Sequence, residues 1–141
     1  MTPVNIEVVT RLLTEMEQAV VKLRSLASLS QNEFLSDSNY YDSAKYNLIV
    51  AVETIIDLCN HIIAQEKLGK PEDYSDVLRI IGARLSLSAD FIMRLEKMAK
   101  FRNLIVHLYW KVDNAEVYNI LKNNLDDFDL IKKALKGYLS H

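Results

Sequence analysis

The chain is a succession of apolar stripes at helical spacing, separated by short polar stretches. Between about Asn5 and Leu29, apolar residues fall at Val9, Leu12, Leu13, Met16, Val20, Leu23 and Ala27. Steps of three and four put them on one face of a helix. Thr2-Pro3 supplies its start, since proline is tolerated in a first turn. The polar, acidic stretch from Ser30 to Asn39 predicts a loop. A second helix is predicted from about Tyr41 to Lys67, with Leu48, Val52, Ile56, Cys59 and Ile63 as its stripe, ending at Gly69-Lys70-Pro71. Tyr74 to about Arg84 reads as a short amphipathic helix. Ser86 or Ser88 caps a fourth helix from about Ala89 to Trp110, and Asp113 or Asn114 breaks the pattern after it. A last helical region spans about Ala115 to Tyr138, with an interruption near Asn123-Asn124. No internal repeat or low-complexity segment is visible. The pattern predicts an all-α, up-and-down bundle of about five helices, with residues 1–141 as one domain.

Composition agrees with that picture. Half of the residues are hydrophobic, and only three Gly and two Pro interrupt them, a balance that favours helices over a sandwich or barrel. The net charge of -2 excludes a protein that coats nucleic acid indiscriminately, because neutralising phosphates requires a basic surplus. Any contact with nucleic acid is therefore local. The local exception is the run from Arg94 to Lys111, where Arg94, Lys97, Lys100, Arg102 and Lys111 face a single acid, Glu96. The one cysteine, Cys59, sits in an apolar stripe and is expected buried and reduced, with no disulfide framework and no cysteine metal site. The N-terminus lacks a basic region followed by a long apolar stretch, and no apolar run approaches the ~20 residues needed to cross a bilayer. The expectation is a cytoplasmic protein without a membrane partner.

The fourth helix carries the departure from a bland pattern. Phe91, Leu95, Met98, Arg102, Ile105 and Tyr109 form one seam, with a guanidinium in its middle. A buried charge must be paired or line a polar cleft, because leaving it unpaired costs several kcal/mol or more. His107 follows five residues after Arg102, roughly 140° around the axis and about 7.5 Å along it. Tyr109, seven residues after Arg102, returns almost to its azimuth. Either the long arginine side chain reaches partway round, or a dimer brings His107 of one chain towards Arg102 of the other.

These residue types suit cleavage of RNA. The 2′-OH is the nucleophile; a base must take its proton, an acid must serve the leaving oxygen, and a cation must face the crowded phosphorane. Histidine titrates near neutrality and serves as base or acid. Arginine forks onto phosphate oxygens and stays charged. The chemistry calls for no metal and no cofactor. Tyr109 orients the phosphate or stacks on a base.

The run KMAKFRNLIVHLYWKVD, Lys97 to Asp113, resembles the signature of the HepT-like branch of the HEPN superfamily, R-x4-H-x-Y. Arg102, His107 and Tyr109 meet it, with Asn103 in the polar place after the arginine. The upstream run YNLIVAVETIIDLCNHII, Tyr46 to Ile63, is similar to the second helix of that branch. The resemblance implies a HEPN-fold homodimer with the two motifs near its two-fold axis. It implies a metal-independent endoribonuclease with Arg102 and His107 as catalytic residues, acting on an RNA such as a tRNA or mRNA. It also implies the toxin of a type VII-like toxin–antitoxin pair. The partner is then an MntA-like minimal nucleotidyltransferase, bound as antitoxin, which attaches AMP to Tyr109. Added AMP would place bulky negative groups beside Arg102 and repel RNA. Phe101, Leu104, Leu108 and Trp110 add apolar area for an isologous interface.

Glu53, Asp57 and His61 align on one face of the second helix. They are a polar lining that orients Arg102, with Asp57 the best candidate partner and Glu53 supporting it, or a metal pair, or a solvated ladder. Tyr40, Tyr41 and Tyr46 either stack bases at a cleft mouth or pack in the core. The competing function is a non-catalytic helical subunit that binds substrate for, or partners, a two-component nucleotidyltransferase. A purely structural dimer explains the arginine least well.

Overall fold

A computed structural model describes residues 4–140. The start predicted at Thr2-Pro3 and the terminal His141 lie outside the described residues. Seven α-helices follow in order among those residues: α1 (Ile6–Ala27), α2 (Gln31–Ser36), α3 (Ser38–Glu66), α4 (Tyr74–Arg84), α5 (Ala89–His107), α6 (Asn114–Asn123) and α7 (Asp126–Leu139), with a 3-10 turn over Tyr109–Lys111 between α5 and α6.

Capping side chains set most starts. Asn5 Oδ1 accepts from the Glu7 N–H at 3.0 Å, Asp73 Oδ1 from Asp76 at 2.8 Å, Ser88 Oγ from Phe91 at 3.1 Å, and Asp113 Oδ1 from Ala115 at 2.9 Å. Each satisfies a donor that a helix's first turn leaves free. Of the two serines considered before α5, Ser88 caps, while Ser86 takes a left-handed φ of 56° in the turn.

The segment Ser30 to Asn39 is not a loop. Ser30 and Glu33 form a reciprocal capping box that starts α2, and Asp37 caps α3 by accepting from Asn39 at 2.8 Å. The S-x-x-E spacing that codes for this box was present beneath the polar composition. α3 ends at Glu66 rather than at Gly69: Lys67 turns left-handed with φ 55°, and the Leu68 N–H closes onto the Ile63 carbonyl at 3.0 Å. The interruption near Asn123-Asn124 separates α6 from α7.

α3 is the central helix and packs most extensively against α1, then against α4 and α5. Burial on more than one face makes its buried set broader than the predicted stripe, adding Ala44, Ala51, Ile55, Leu58 and Ile62. By length and composition alone α3 would pass for a membrane span, contrary to the sequence expectation. More than half of its most apolar stretch is nevertheless inside the bundle. Cys59 is fully buried there, and burial pushes its thiol up to about 12.

α3 and α5 run antiparallel. Tyr109, just past the end of α5, meets Asp42 near the start of α3, and Arg102 meets Glu53 farther along it. This register positions the site.

Candidate active site

Arg102 sits where the α5 seam turns from apolar to polar. Phe91, Leu95, Met98 and Ile105 of that seam are buried, and the Arg102 side chain is 24% exposed. Its Nη2 donates to Glu53 Oε1, and its Nη1 donates to Asn103 Oδ1 at 2.6 Å. Its Nε is buried without a partner among the described residues. Thus Glu53 holds the arginine, not Asp57 as expected. The antiparallel register brings Glu53 level with Arg102, while Asp57 falls one α3 turn farther on. Asp57 still lines the same cavity of about 330 Å³, with Glu53, Ile56, Tyr74 and Arg102. Burial, then the Glu53 carboxylate, push the Asp57 carboxyl above the usual carboxylate range, while the Arg102 and Arg11 guanidiniums oppose the shift. The guanidinium is therefore oriented and countered by acid on the same wall.

The third member of that acidic ladder faces elsewhere. His61 Nε2 accepts from the Asn5 backbone N–H at 3.2 Å. Among the described residues no three His, Cys, Asp or Glu side chains converge on a point.

His107 is the last residue of α5 and is exposed. It lies on α5 itself, so the separation of about 140° from Arg102 stands. Its face is instead that of Lys100, seven residues earlier and only about 20° away. Lys97, Lys100 and Leu104 border a groove of about 560 Å³ between α5 and α6, floored by Met98, Phe101 and Ile120. Neither Lys97 nor Lys100 has an ion-pair partner among the described residues. The basic run thus splits between two faces, with Arg102 towards α3 and Lys97 and Lys100 on the groove against α6.

Tyr109 is not on α5. Leu108 leaves helical geometry with φ -135° and ψ 46°, and the chain tightens into the 3-10 turn. The Tyr109 hydroxyl donates to Asp42 Oδ1 at 2.5 Å, and Lys45 Nζ stands 4.3 Å from the centre of its ring. These tertiary contacts override the helical pattern that ran to Trp110. The shared azimuth of Arg102 and Tyr109 expected from a continuous helix is therefore lost. Their anchors on α3, Asp42 and Glu53, are eleven residues apart, about 16 Å along one face. Burial, then the bond to Asp42, push the Tyr109 hydroxyl up to about 12. Burial lowers Lys45, which is 4% exposed, and Asp42 opposes that shift. No residue pattern points to Asp42 or Lys45, because their role depends on where Tyr109 lands.

Of the upstream tyrosines, Tyr40 and Tyr41 pack against the core and Tyr46 is exposed. Phe101 is buried at the floor of the groove between α5 and α6, whereas Trp110 is 76% and Val106 44% exposed.

Comparison with known proteins identifies the family and the fold. The mRNA nuclease HepT of Shewanella oneidensis is 29% identical over 106 residues, spanning 75% of this chain and 80% of the relative. The tRNA nuclease HepT of Aphanizomenon flos-aquae is 21% identical over 117 residues, spanning 83% and 80%. The fold matches a crystal structure of a toxin–antitoxin with AMP-PNP, with TM-score 0.85, 22% identity, and coverage of 93% of this chain and 98% of the other. It matches equally the tri-AMPylated Shewanella oneidensis HEPN toxin in complex with MNT antitoxin, at TM-score 0.85 and 22% identity over 94% and 99% of the chains. A Bacillus subtilis cytosolic protein of unknown function, YutE, shares the same fold at TM-score 0.85 and 19% identity over 99% and 93%. The helical bundle is accordingly the HEPN fold. Residues 16–135 match the ribonuclease HepT-like family, and the chain belongs to it.

Proposed function

We propose that this chain is the toxin of a toxin–antitoxin pair: a metal-independent endoribonuclease that uses Arg102 and His107 and is silenced when a cognate minimal nucleotidyltransferase attaches AMP to Tyr109. The observation that carries the proposal is Arg102, a half-buried guanidinium held by Glu53 and Asn103, with its Nε buried and unpaired among the described residues. Such a cation is fixed before substrate arrives and costs no reorganisation when charge develops on a phosphorane. His107 is exposed at a helix end, open to a substrate hydroxyl, and works as base or acid. RNA supplies its 2′-OH as nucleophile. The relatives named for mRNA and for tRNA cleavage leave both RNA classes as candidate substrates.

Two features favour a composite site in a homodimer. Arg102 and His107 face different ways on α5, so one subunit does not present them to the same phosphate without a large excursion of the arginine. Val106 and Trp110 add exposed apolar area beside His107, and a two-fold contact there is isologous. It would set His107 of one chain towards Arg102 of the other.

AMP on Tyr109 acts over distance. The hydroxyl and Arg102 are too far apart in one subunit for a single AMP simply to occupy the arginine's site. Either several AMP units extend to it, or the modification blocks the cleft across the dimer. Both add negative charge at the entrance and repel RNA.

One observation favours the competing reading, a non-catalytic partner subunit of a nucleotidyltransferase: Arg102 is already countered by Glu53. The two readings part on toxicity of the chain expressed alone, which only the nuclease reading requires. The test of the regulatory half is mass spectrometry of the chain co-expressed with its nucleotidyltransferase. One or more AMP masses are expected on the peptide containing Tyr109, with none on that peptide in Tyr109→Phe, which stays toxic in co-expression. AMP confined to another peptide would overturn this assignment.

A further inference from the structure

Tyr109 poses a chemical problem as a nucleophile. Its hydroxyl is pushed up to about 12, so at neutral pH almost none of it is phenolate. A neutral phenol attacks phosphorus poorly, and its proton must leave as the new bond forms. The groups facing the phenol are Asp42, Lys45 and Tyr41 from α3, with His107 and Lys111 as its neighbours along the chain. Of these, Asp42 Oδ1 already accepts the hydroxyl proton at 2.5 Å, within the reach required of a general base. Asp42 is exposed, so it can pass the proton on to solvent. Lys45 Nζ sits over the Tyr109 ring at 4.3 Å and reaches the Tyr41 ring at 5.5 Å. An ammonium over that face favours negative charge growing on the phenol oxygen. This cluster stands about three α3 turns from Glu53 and Arg102, and RNA cleavage as proposed above has no use for it.

We propose that Asp42 is the proton acceptor for nucleotidyl transfer onto Tyr109, so that the chain supplies the base for its own modification. The inference rests on the reading of Tyr109 as the AMP acceptor. In the step, the Tyr109 O–H bond breaks and its proton goes to Asp42 Oδ1. The phenol oxygen forms a bond to the α-phosphorus of ATP bound by the partner enzyme. The bond from the α-phosphorus to the bridging oxygen breaks, and pyrophosphate leaves with the electron pair. Nothing is oxidised or reduced. Lys45 is a positioning residue that holds charge near the ring.

A corollary distinguishes this role from a structural one. Tyr109 has a single phenol oxygen, so any second or third AMP on that residue must join a different oxygen. Asp42 touches only the phenol. Its loss slows the first addition and leaves later ones at their usual rate.

The test is the time course of AMP addition to the full chain by its purified cognate nucleotidyltransferase with ATP, followed by mass spectrometry, for wild type, Asp42→Asn and Asp42→Glu. Asp42→Asn is expected to slow the first addition about a hundredfold or more at pH 7, with RNA cutting and helix content unchanged. Asp42→Glu retains a carboxylate and recovers part of the rate. The ratio of wild-type to Asp42→Asn rates shrinks as pH rises, because the variant depends on spontaneous phenolate, which grows as pH approaches the raised range of the Tyr109 hydroxyl. Equal first-addition rates in wild type and Asp42→Asn, or slowing of every addition alike, would overturn the role of Asp42 while leaving Tyr109 as acceptor. Absence of AMP on wild-type Tyr109 would overturn both.

Discussion

His107→Ala is expected to lower RNA cutting by about a hundredfold to ten-thousandfold and to leave helix content and oligomeric state unchanged. The magnitude is that of a general acid–base group removed from a positioned site. The fold does not depend on the side chain: it is exposed at the end of α5 and makes no hydrogen bond among the described residues. A gel-based rate on a defined RNA, beside circular dichroism and size-exclusion chromatography, checks it. A His107→Ala protein that cuts at the wild-type rate would remove His107 from the mechanism.

Arg102→Ala is expected to cost about a hundredfold to a thousandfold in the same assay, the loss typical of one pre-organised electrostatic donor. Arg102→Lys keeps the charge but not the fork that spans Glu53 and Asn103, and recovers only a fraction. Unlike His107→Ala, this variant also loses stability, because Glu53 and Asp57 then face each other with less positive charge between them. The sign of its pH dependence follows. The Asp57 carboxyl already lies above its ordinary value in the fold, so the folded chain holds that proton to higher pH than the unfolded chain does. Stability is therefore gained as pH falls through the raised range and lost as pH rises through it. Removing Arg102, which opposes the shift, enlarges it. The gap in melting temperature between Arg102→Ala and wild type is expected to be widest at neutral pH and to narrow as the pH is lowered. A gap independent of pH would contradict the electrostatic account of the cavity.

Much of the architecture was legible in the spacing of apolar residues, because the main helices bury their stripes against α3 and carry their caps in sequence. What failed did so for identifiable reasons. α2 hid under polar composition, since a six-residue helix has no room for an apolar period, although Ser30 and Glu33 encoded its cap. The end of α5 was misplaced because no Gly or Pro marks it; contacts of Tyr109 with Asp42 and Lys45 draw the chain off the helix. Of the candidate site, Arg102 was recognisable as a charge in an apolar seam and His107 as its neighbour along the helix. The choice of Glu53 over Asp57 was not, because it depends on the register between α3 and α5. The surroundings of Tyr109 were invisible for the same reason.

That misplaced helix end changes how the motif is understood. Three residues close in sequence occupy three settings: Arg102 in an acidic cavity against α3, His107 exposed at the end of α5, and Tyr109 near the start of α3. In the proposed reading, two subunits combine to build one catalytic cleft.

The most direct measurement of the central claim is incubation of the purified chain, in excess chelator, with an RNA and with the same RNA carrying a single 2′-deoxy sugar at the cut position. The account predicts cutting of the first and protection of the second, because the 2′-OH is the nucleophile and no metal is needed. An RNA that survives prolonged incubation, or a deoxy-substituted strand cut at an equal rate, would contradict it.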